Sequence, residues 1–394
     1  MKESWRWFGP LDKIDLREIY QTGSKSIVTA LHEIAYGELW PVSEIEKRKS
    51  LIEEAGLTWS VVESLPVHED IKLGKENIKH LFESYRKSLA NLAECGVKIV
   101  CYNFMPLLDW TRTNLEAPAD SGGSALRFSI VEMAAFDIFV LKRKEATGDY
   151  SEEVLKTAEK LFKQSDQKYF DKILRNIMAG LPGSYTRYST ETLREVLKNY
   201  EGFKHEDLRE NYRNFLREII PAATEFGIRM CVHPDDPPWD VFGIPRVVST
   251  KEDISFILDS VPVLENGLTL CSGSLGAHPN NDVVKIASKF SERIHFAHLR
   301  NVKKEPDGSF QEASHLKGDV NMVELIKVLL KEEKKRKLAD EHYTEIVFRP
   351  DHGHEILSDS ERNTHPGYPL LGRMKGLAEL RGVSKAIQNE LDLF

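Results

Sequence analysis

From about residue 228 onward the chain repeats one pattern. Short apolar, β-branched runs at 228–233, 268–271, 294–299 and 345–348 alternate with helical periodicity at 251–260, 282–290 and 320–334. A last helix runs from about 371 to 387. The first quarter follows the same rule, with strand-like runs at 5–8, 27–32, 57–63 and 97–102 and amphipathic helices at 43–55 and 75–95. Between them the pattern changes. Residues 114–125 are rich in Gly, Ser, Pro and Ala and read as a loop, and 128–222 is almost wholly helical, broken at Gly180-Leu-Pro-Gly183. Apolar strands alternating with helices mean a parallel sheet covered by helices. Seven or eight strands are counted, with a place for a hidden fourth near 125–130. The Gly-rich nucleotide fingerprint of a Rossmann sheet is missing after the first strand. The pattern therefore predicts an α/β protein, a single (β/α)8 TIM barrel over 1–394, with 128–222 as a helical insertion or lid.

Composition narrows the partners. The chain has 394 residues, enough for a barrel with insertions, and a net charge of −8 spread without a basic patch, so nucleic acid is not expected. Four cysteines (Cys95, Cys101, Cys231, Cys271) show no framework spacing. No apolar run approaches membrane length and the first residues lack an apolar leader core. A cytoplasmic protein with no membrane contact is expected, and barrels of this size commonly self-associate, so a homo-oligomer, a dimer, is expected as well.

The ends of the last four strand-like runs carry the chemistry. His233, Cys271, His298 and Asp351 each close such a run and are 38, 27 and 53 residues apart. One βα unit is roughly 30 residues. The first two gaps are one unit each; the third is one unit plus the polar loop 303–317. The four therefore fit the C-terminal ends of strands 5 to 8, where barrel enzymes keep their active sites. Strand alternation removes two competitors. His295 and His298 are three apart and face opposite sides, and Cys231, two before His233, lies one layer deeper in the core. Thiolate and imidazole point to zinc or ferrous iron, and a carboxylate also accepts manganese. Four protein ligands would close a tetrahedral zinc site and make it structural, so a catalytic role favours Mn²⁺ or Fe²⁺.

At these residues the chain resembles the mannonate dehydratase family of metal-dependent, xylose-isomerase-like barrels. The likeness runs over nearly the whole length. Its most specific segments are Cys-Tyr-Asn-Phe-Met-Pro-Leu-Leu-Asp-Trp-Thr-Arg-Thr at 101–113, His-Pro-Asp-Asp-Pro-Pro at 233–238, Cys-Ser-Gly-Ser-Leu-Gly-Ala at 271–277, His-Phe-Ala-His-Leu-Arg-Asn at 295–301, Arg-Pro-Asp-His-Gly at 349–353 and Gly-Tyr-Pro-Leu-Leu-Gly-Arg at 367–373. The resemblance implies dehydration of D-mannonate to 2-keto-3-deoxy-D-gluconate, a step of glucuronate catabolism. It also implies Mn²⁺ or Fe²⁺ on His233, Cys271, His298 and Asp351, with His352 and Tyr368 as the acid/base pair.

The chemistry agrees with that implication. Removing the hydrogen beside a carboxylate builds negative charge that a divalent cation stabilises, and a base and an acid must handle the two protons. Neutral imidazole suits the base, and His352 follows Asp351 directly. Arg300, two residues past His298 on the same strand face, is expected to bind the substrate carboxylate. Asn103, Asp235 and Ser274 follow strands in polar loops and are expected to bind hydroxyls. A metal-dependent sugar isomerase or epimerase would need a richer carboxylate set, often for two metals. A multi-metal nuclease would need a basic groove. A non-catalytic sugar-acid binding protein with structural zinc is the reading from a different class.

Overall fold

Eight short runs form parallel strands that close on themselves: β1 (Lys2–Arg6), β2 (Ser26–Thr29), β3 (Thr58–Glu63), β4 (Ile99–Tyr102), β5 (Arg229–Val232), β6 (Asn266–Cys271), β7 (Ile294–His298) and β8 (Val347–Arg349). β1 closes the ring by pairing both β8 (Glu3↔Phe348) and β2 (Trp5↔Ile27). The structure is a computed structural model and describes residues 1–120, 122–180, 188–339 and 343–391. Most of the break expected at 180–183 lies outside the described residues.

The strands are apolar on both faces because both are covered. Every residue of β2, β5, β6, β7 and β8 is buried. Val28, Val61, Cys101, Cys231, Phe296 and Val347 pack together as a cluster inside the barrel, and the outward faces join the helices in a larger core. Cys231 sits in that interior cluster beneath His233, while His295 turns outward and bonds the Leu264 carbonyl through Nε2 at 2.7 Å. The helix His205–Phe226 packs against Lys79–Glu94 on the outside of the barrel. It therefore belongs to the ring of barrel helices, and the helices preceding it form the added part. Among the described residues no helix is long and apolar enough to cross a membrane.

One element departs from the sequence reading. The fourth barrel strand is β4, whereas Ser124–Phe128 belongs to a separate antiparallel sheet ordered Asn301–Lys304, Phe310–Ala313, Ser124–Phe128, Asn114–Pro118. Two segments expected to be loops, 114–125 and 303–317, supply this sheet. Its strands are short, and its two hairpins lie far apart in sequence, so no local pattern announces their pairing. Phe128 stacks on Phe310 with centroids 5.6 Å apart, and both join Met133, Phe136, Val154 and Ile173 of the added helices in a second core. The hairpin 301–313 begins three residues after His298, the end of β7, which ties this second core to the catalytic end of the barrel.

Candidate active site

The strand ends bring three of the four expected metal ligands into one cluster. Donor atoms of His233, Cys271 and His298 all lie within 4.8 Å of one another. Asp351 adjoins the cluster, its Oδ2 3.8 Å from His298 Nδ1 and 3.9 Å from Cys271 Sγ. It reaches inward because its backbone is left-handed, φ 62°, a conformation that Asp tolerates better than most residues.

The two imidazoles report what the cluster is built for. The outer nitrogen of each ring faces an oxygen that can only accept: His233 Nδ1 lies 2.7 Å from the Pro234 carbonyl, and His298 Nε2 lies 3.3 Å from Glu63 Oε1. The first is a hydrogen bond; the second is an ion-pair contact without hydrogen-bond alignment, since Nε2 has no hydrogen-bond partner among the described residues. With its proton on Nδ1, His233 presents the Nε2 lone pair inward, where it meets His298 Nδ1 at 3.1 Å. Two imidazole nitrogens converging beside a thiol and a carboxylate make a compact nitrogen, sulfur and oxygen donor set. The residues present fit a divalent metal ion.

Around the cluster runs a buried chain of ion pairs. Asp236 takes both terminal nitrogens of Arg112 at 2.7 and 3.0 Å and Arg300 Nη2 at 2.7 Å. Glu312, carried in by the hairpin, takes Arg112 at 2.9 Å, Arg300 Nε at 3.3 Å and His352 Nδ1 at 3.0 Å. Glu63 takes Arg349 at 2.8 and 3.0 Å, and Arg349 also holds Asp351. Burial opposes ionisation of these acids, and the arginines overcome it. Glu312 is pulled down to about 2 by Arg300, His352 and Arg112. Asp351 is held well below the usual carboxylate range, chiefly by Arg349. Gly273 is needed for this packing: a Cβ there would stand 2.0 Å from Arg300 Nε.

The cavity over the cluster is lined by Asn103, Asp236, Arg300, Asp351, His352 and Tyr368, with Trp110 and Asp109 on its wall. The His352 ring meets Tyr368 edge-on, with centroids 5.0 Å apart and planes at 85°. Burial pushes the Tyr368 phenol up, so it stays protonated. Asn103 donates to Asp109 at 3.0 Å. Ser274 lies beneath the cavity, its Oγ 3.1 Å from Cys271 Sγ and 3.2 Å from Asp236 Oδ2.

Asp235 is placed differently from expectation. Its Oδ2 accepts from Val248 N at 2.6 Å and Ser249 Oγ at 2.8 Å, which ties the start of the loop after β5 to its end, and burial raises its carboxyl to about 6. Its neighbour Asp236 lines the cavity instead. The residues that sequence reasoning missed are Asp236, Glu312, Glu63, Arg112 and Arg349. Asp236, Arg112 and Arg349 lie inside the family-like segments, but past a strand end no alternation says which of two adjacent acids turns inward. Glu312 lay in a segment expected to be an outlying loop.

A family model described as D-mannonate dehydratase (UxuA) matches residues 1–392. A mannonate dehydratase of Saccharophagus degradans is 50% identical over 389 residues, covering 98% of this chain and 98% of that protein. One of a Marinomonas species is 50% identical over 393 residues, covering 99% of this chain and 100% of that protein. Among solved structures, the mannonate dehydratase of Streptococcus suis superposes with a TM-score of 0.78 at 33% identity, covering 100% of this chain and 95% of that one.

Proposed function

The chain belongs to the D-mannonate dehydratase family, and from that premise we propose which of its groups carry the reaction. Its activity is that of a hydro-lyase acting on D-mannonate, with 2-keto-3-deoxy-D-gluconate as the proposed product. His233, Cys271, His298 and Asp351 hold the metal ion, Mn²⁺ or Fe²⁺. Once bound, that ion supplies Lewis acidity toward the substrate carboxylate and its neighbouring hydroxyl.

The proton work falls to His352 and Tyr368. Because Glu312 accepts from His352 Nδ1, Nε2 is left as the free base. His352 Nε2 takes the C2 hydrogen as a proton, and the C2–H electron pair becomes the C2–C3 double bond. The C3–O bond breaks, and its hydroxyl leaves as water with the proton that Tyr368 still holds. The resulting enol gives up its 2-hydroxyl proton and takes one at C3, becoming the 2-keto acid, and the proton taken by His352 makes good the one Tyr368 gave. Asn103, Arg300 and Ser274 position the substrate around this pair, Arg300 through the carboxylates it binds.

The observation that carries this reading is the convergence of His233, Cys271 and His298 donor atoms within 4.8 Å of one another with Asp351 beside them, and His352 and Tyr368 edge to edge at the same cavity. The test is metal depletion by chelator and reconstitution with Mn²⁺, Fe²⁺ or Zn²⁺, followed by assay of 2-keto-3-deoxy acid from mannonate. Full activity of the depleted protein would sink the metal role. His352→Asn should keep its metal and lose turnover, and loss of metal instead would make that residue structural. We further propose that the sheet and the helices before residue 200 act as a cover over the mouth, and that the protein works as a cytoplasmic homo-oligomer.

A further inference from the structure

Arg6 ends β1 at the catalytic rim and is 1% exposed, yet it lacks the partners every other arginine of the ion-pair chain has. Among the described residues no carboxylate lies within ion-pair distance of it, and its Nε and Nη1 have no hydrogen-bond partner. Its guanidinium meets one polar side chain among the described residues, His32, with Nη2 3.4 Å from Nε2. A buried charged donor without an acceptor is unfavourable, so its persistence calls for a ligand. Arg6 and His32 line a cavity bounded also by Asp109, and Asp109 lines the cavity over the metal cluster as well. The Arg6 guanidinium lies over the Phe8 ring at 4.9 Å, and Phe8 meets Tyr368 edge-on at 4.8 Å. The unpartnered cation is therefore one ring away from a proposed proton donor.

The order of the barrel says which end of a substrate would reach it. Around the closed ring, β1 and β2 stand four strands from β5 and β6 in either direction. Arg6 and His32 thus face His233 and Cys271 across a mouth that, in an eight-stranded barrel, admits one small ligand. A linear sugar acid with its carboxylate end at the metal cluster extends its other end toward β1 and β2.

We propose that Arg6, with His32 beside it, is the subsite for the far end of the substrate and hydrogen-bonds the C6 hydroxyl. This assignment rests on the reading above that the reacting carboxylate end lies at His233, Cys271 and His298. It makes Arg6 a determinant of chain length and of C6 chemistry, distinct from the groups that move protons.

The test compares kcat/KM for D-mannonate with that for 6-deoxy-D-mannonate and for the five-carbon aldonate sharing its C2–C4 configuration. The wild-type enzyme should prefer mannonate by on the order of 10- to 100-fold, the range for a hydrogen bond to a charged donor. Arg6→Met should bring that preference to within about threefold with its metal content unchanged, while Arg6→Lys should retain part of it. A wild-type enzyme indifferent to the C6 hydroxyl would overturn the proposal, whatever the variants do. So would variants that lose all three substrates equally, which would mark Arg6 as structural or as a carboxylate ligand. If the wild type failed to dehydrate mannonate at all, the functional reading would fall rather than the subsite alone.

Discussion

Replacing Glu312 by Gln keeps its volume and removes its charge from the centre of the ion-pair chain. The carboxylate is 2% exposed and serves Arg112, Arg300 and His352 at 2.9, 3.3 and 3.0 Å. Breaking one member of a buried pair costs about 3–5 kcal/mol. The depressed acidity gives an independent figure: a carboxyl drawn from 4.5 to about 2 carries roughly 3 kcal/mol of linked stability. At about 2.1 cal/mol/K per residue, that loss lowers Tm by about 4 °C in a chain of 394 residues. The pH dependence follows from the sign. The folded-state value lies below the unfolded one, so the contribution is complete above about pH 4.5 and disappears as the pH falls toward 2. Wild type and Glu312→Gln should therefore differ at pH 6 and converge in acid. Catalysis should suffer separately, because a neutral amide accepts more weakly than the carboxylate and can also turn its NH2 toward His352, so the tautomer is no longer fixed; losses of about 10- to 100-fold in kcat are usual for such partners. The assays are thermal melts from pH 3 to 7 and formation of the 2-keto acid. A variant that melts within 1 °C of wild type at pH 6, as a rough limit set by the same scaling, and turns over normally would refute the role given to the hairpin carboxylate.

Three further outcomes are expected. Cys271→Ser should lower metal affinity by at least about tenfold, read as metal per chain after dialysis, since a hydroxyl is a poor substitute for a soft thiolate; unchanged stoichiometry would remove the thiol from the site. Asp235→Asn should lower Tm but leave KM for mannonate within about twofold, whereas Asp236→Asn, which strips Arg112 and Arg300 of a shared acceptor, should lower kcat/KM about 100-fold or more; equal kinetic effects would mean that both acids act on the substrate. Phe310→Ala should cost about 3–5 kcal/mol, because the ring is fully buried in the second core, and should reduce kcat by disturbing Glu312; a variant that melted normally would show that the sheet is not anchored there.

The barrel was legible because its strands are buried on both faces and its repeat length is regular. Cys231 and His295 show how far that legibility extends: inside a strand, period two decided correctly which residue faces in. It fails one residue beyond a strand end. Asp235 and Asp236 are chemically identical in sequence, and only the loop path from β5, with Val248 N and Ser249 Oγ waiting on one side and Arg112 and Arg300 on the other, separates their roles. The antiparallel sheet was illegible for a different reason. Phe310 pairs with Phe128 across 182 positions, and neither hairpin has an apolar face wide enough to announce itself before the other covers it.

The ion-pair chain also changes what Arg300 can do. Sequence position made it the expected partner of the substrate carboxylate, and it does line the cavity. Yet its donors meet Asp236 at 2.7 Å and Glu312 and Asp351 at 3.3 Å, so a substrate would have to compete with three carboxylates already in place. The same contacts give it another task, which is to hold Asp351 beside the metal cluster and Glu312 beside His352. An arginine that binds substrate directly shows its loss mainly in KM, whereas one that aligns catalytic groups shows it in kcat. Arg300→Lys separates the two: the charge survives, but one ammonium cannot span three acceptors. Its kcat should therefore fall by about 10- to 100-fold while KM moves little. The opposite split would return Arg300 to the substrate and leave the alignment of Asp351 to Arg349.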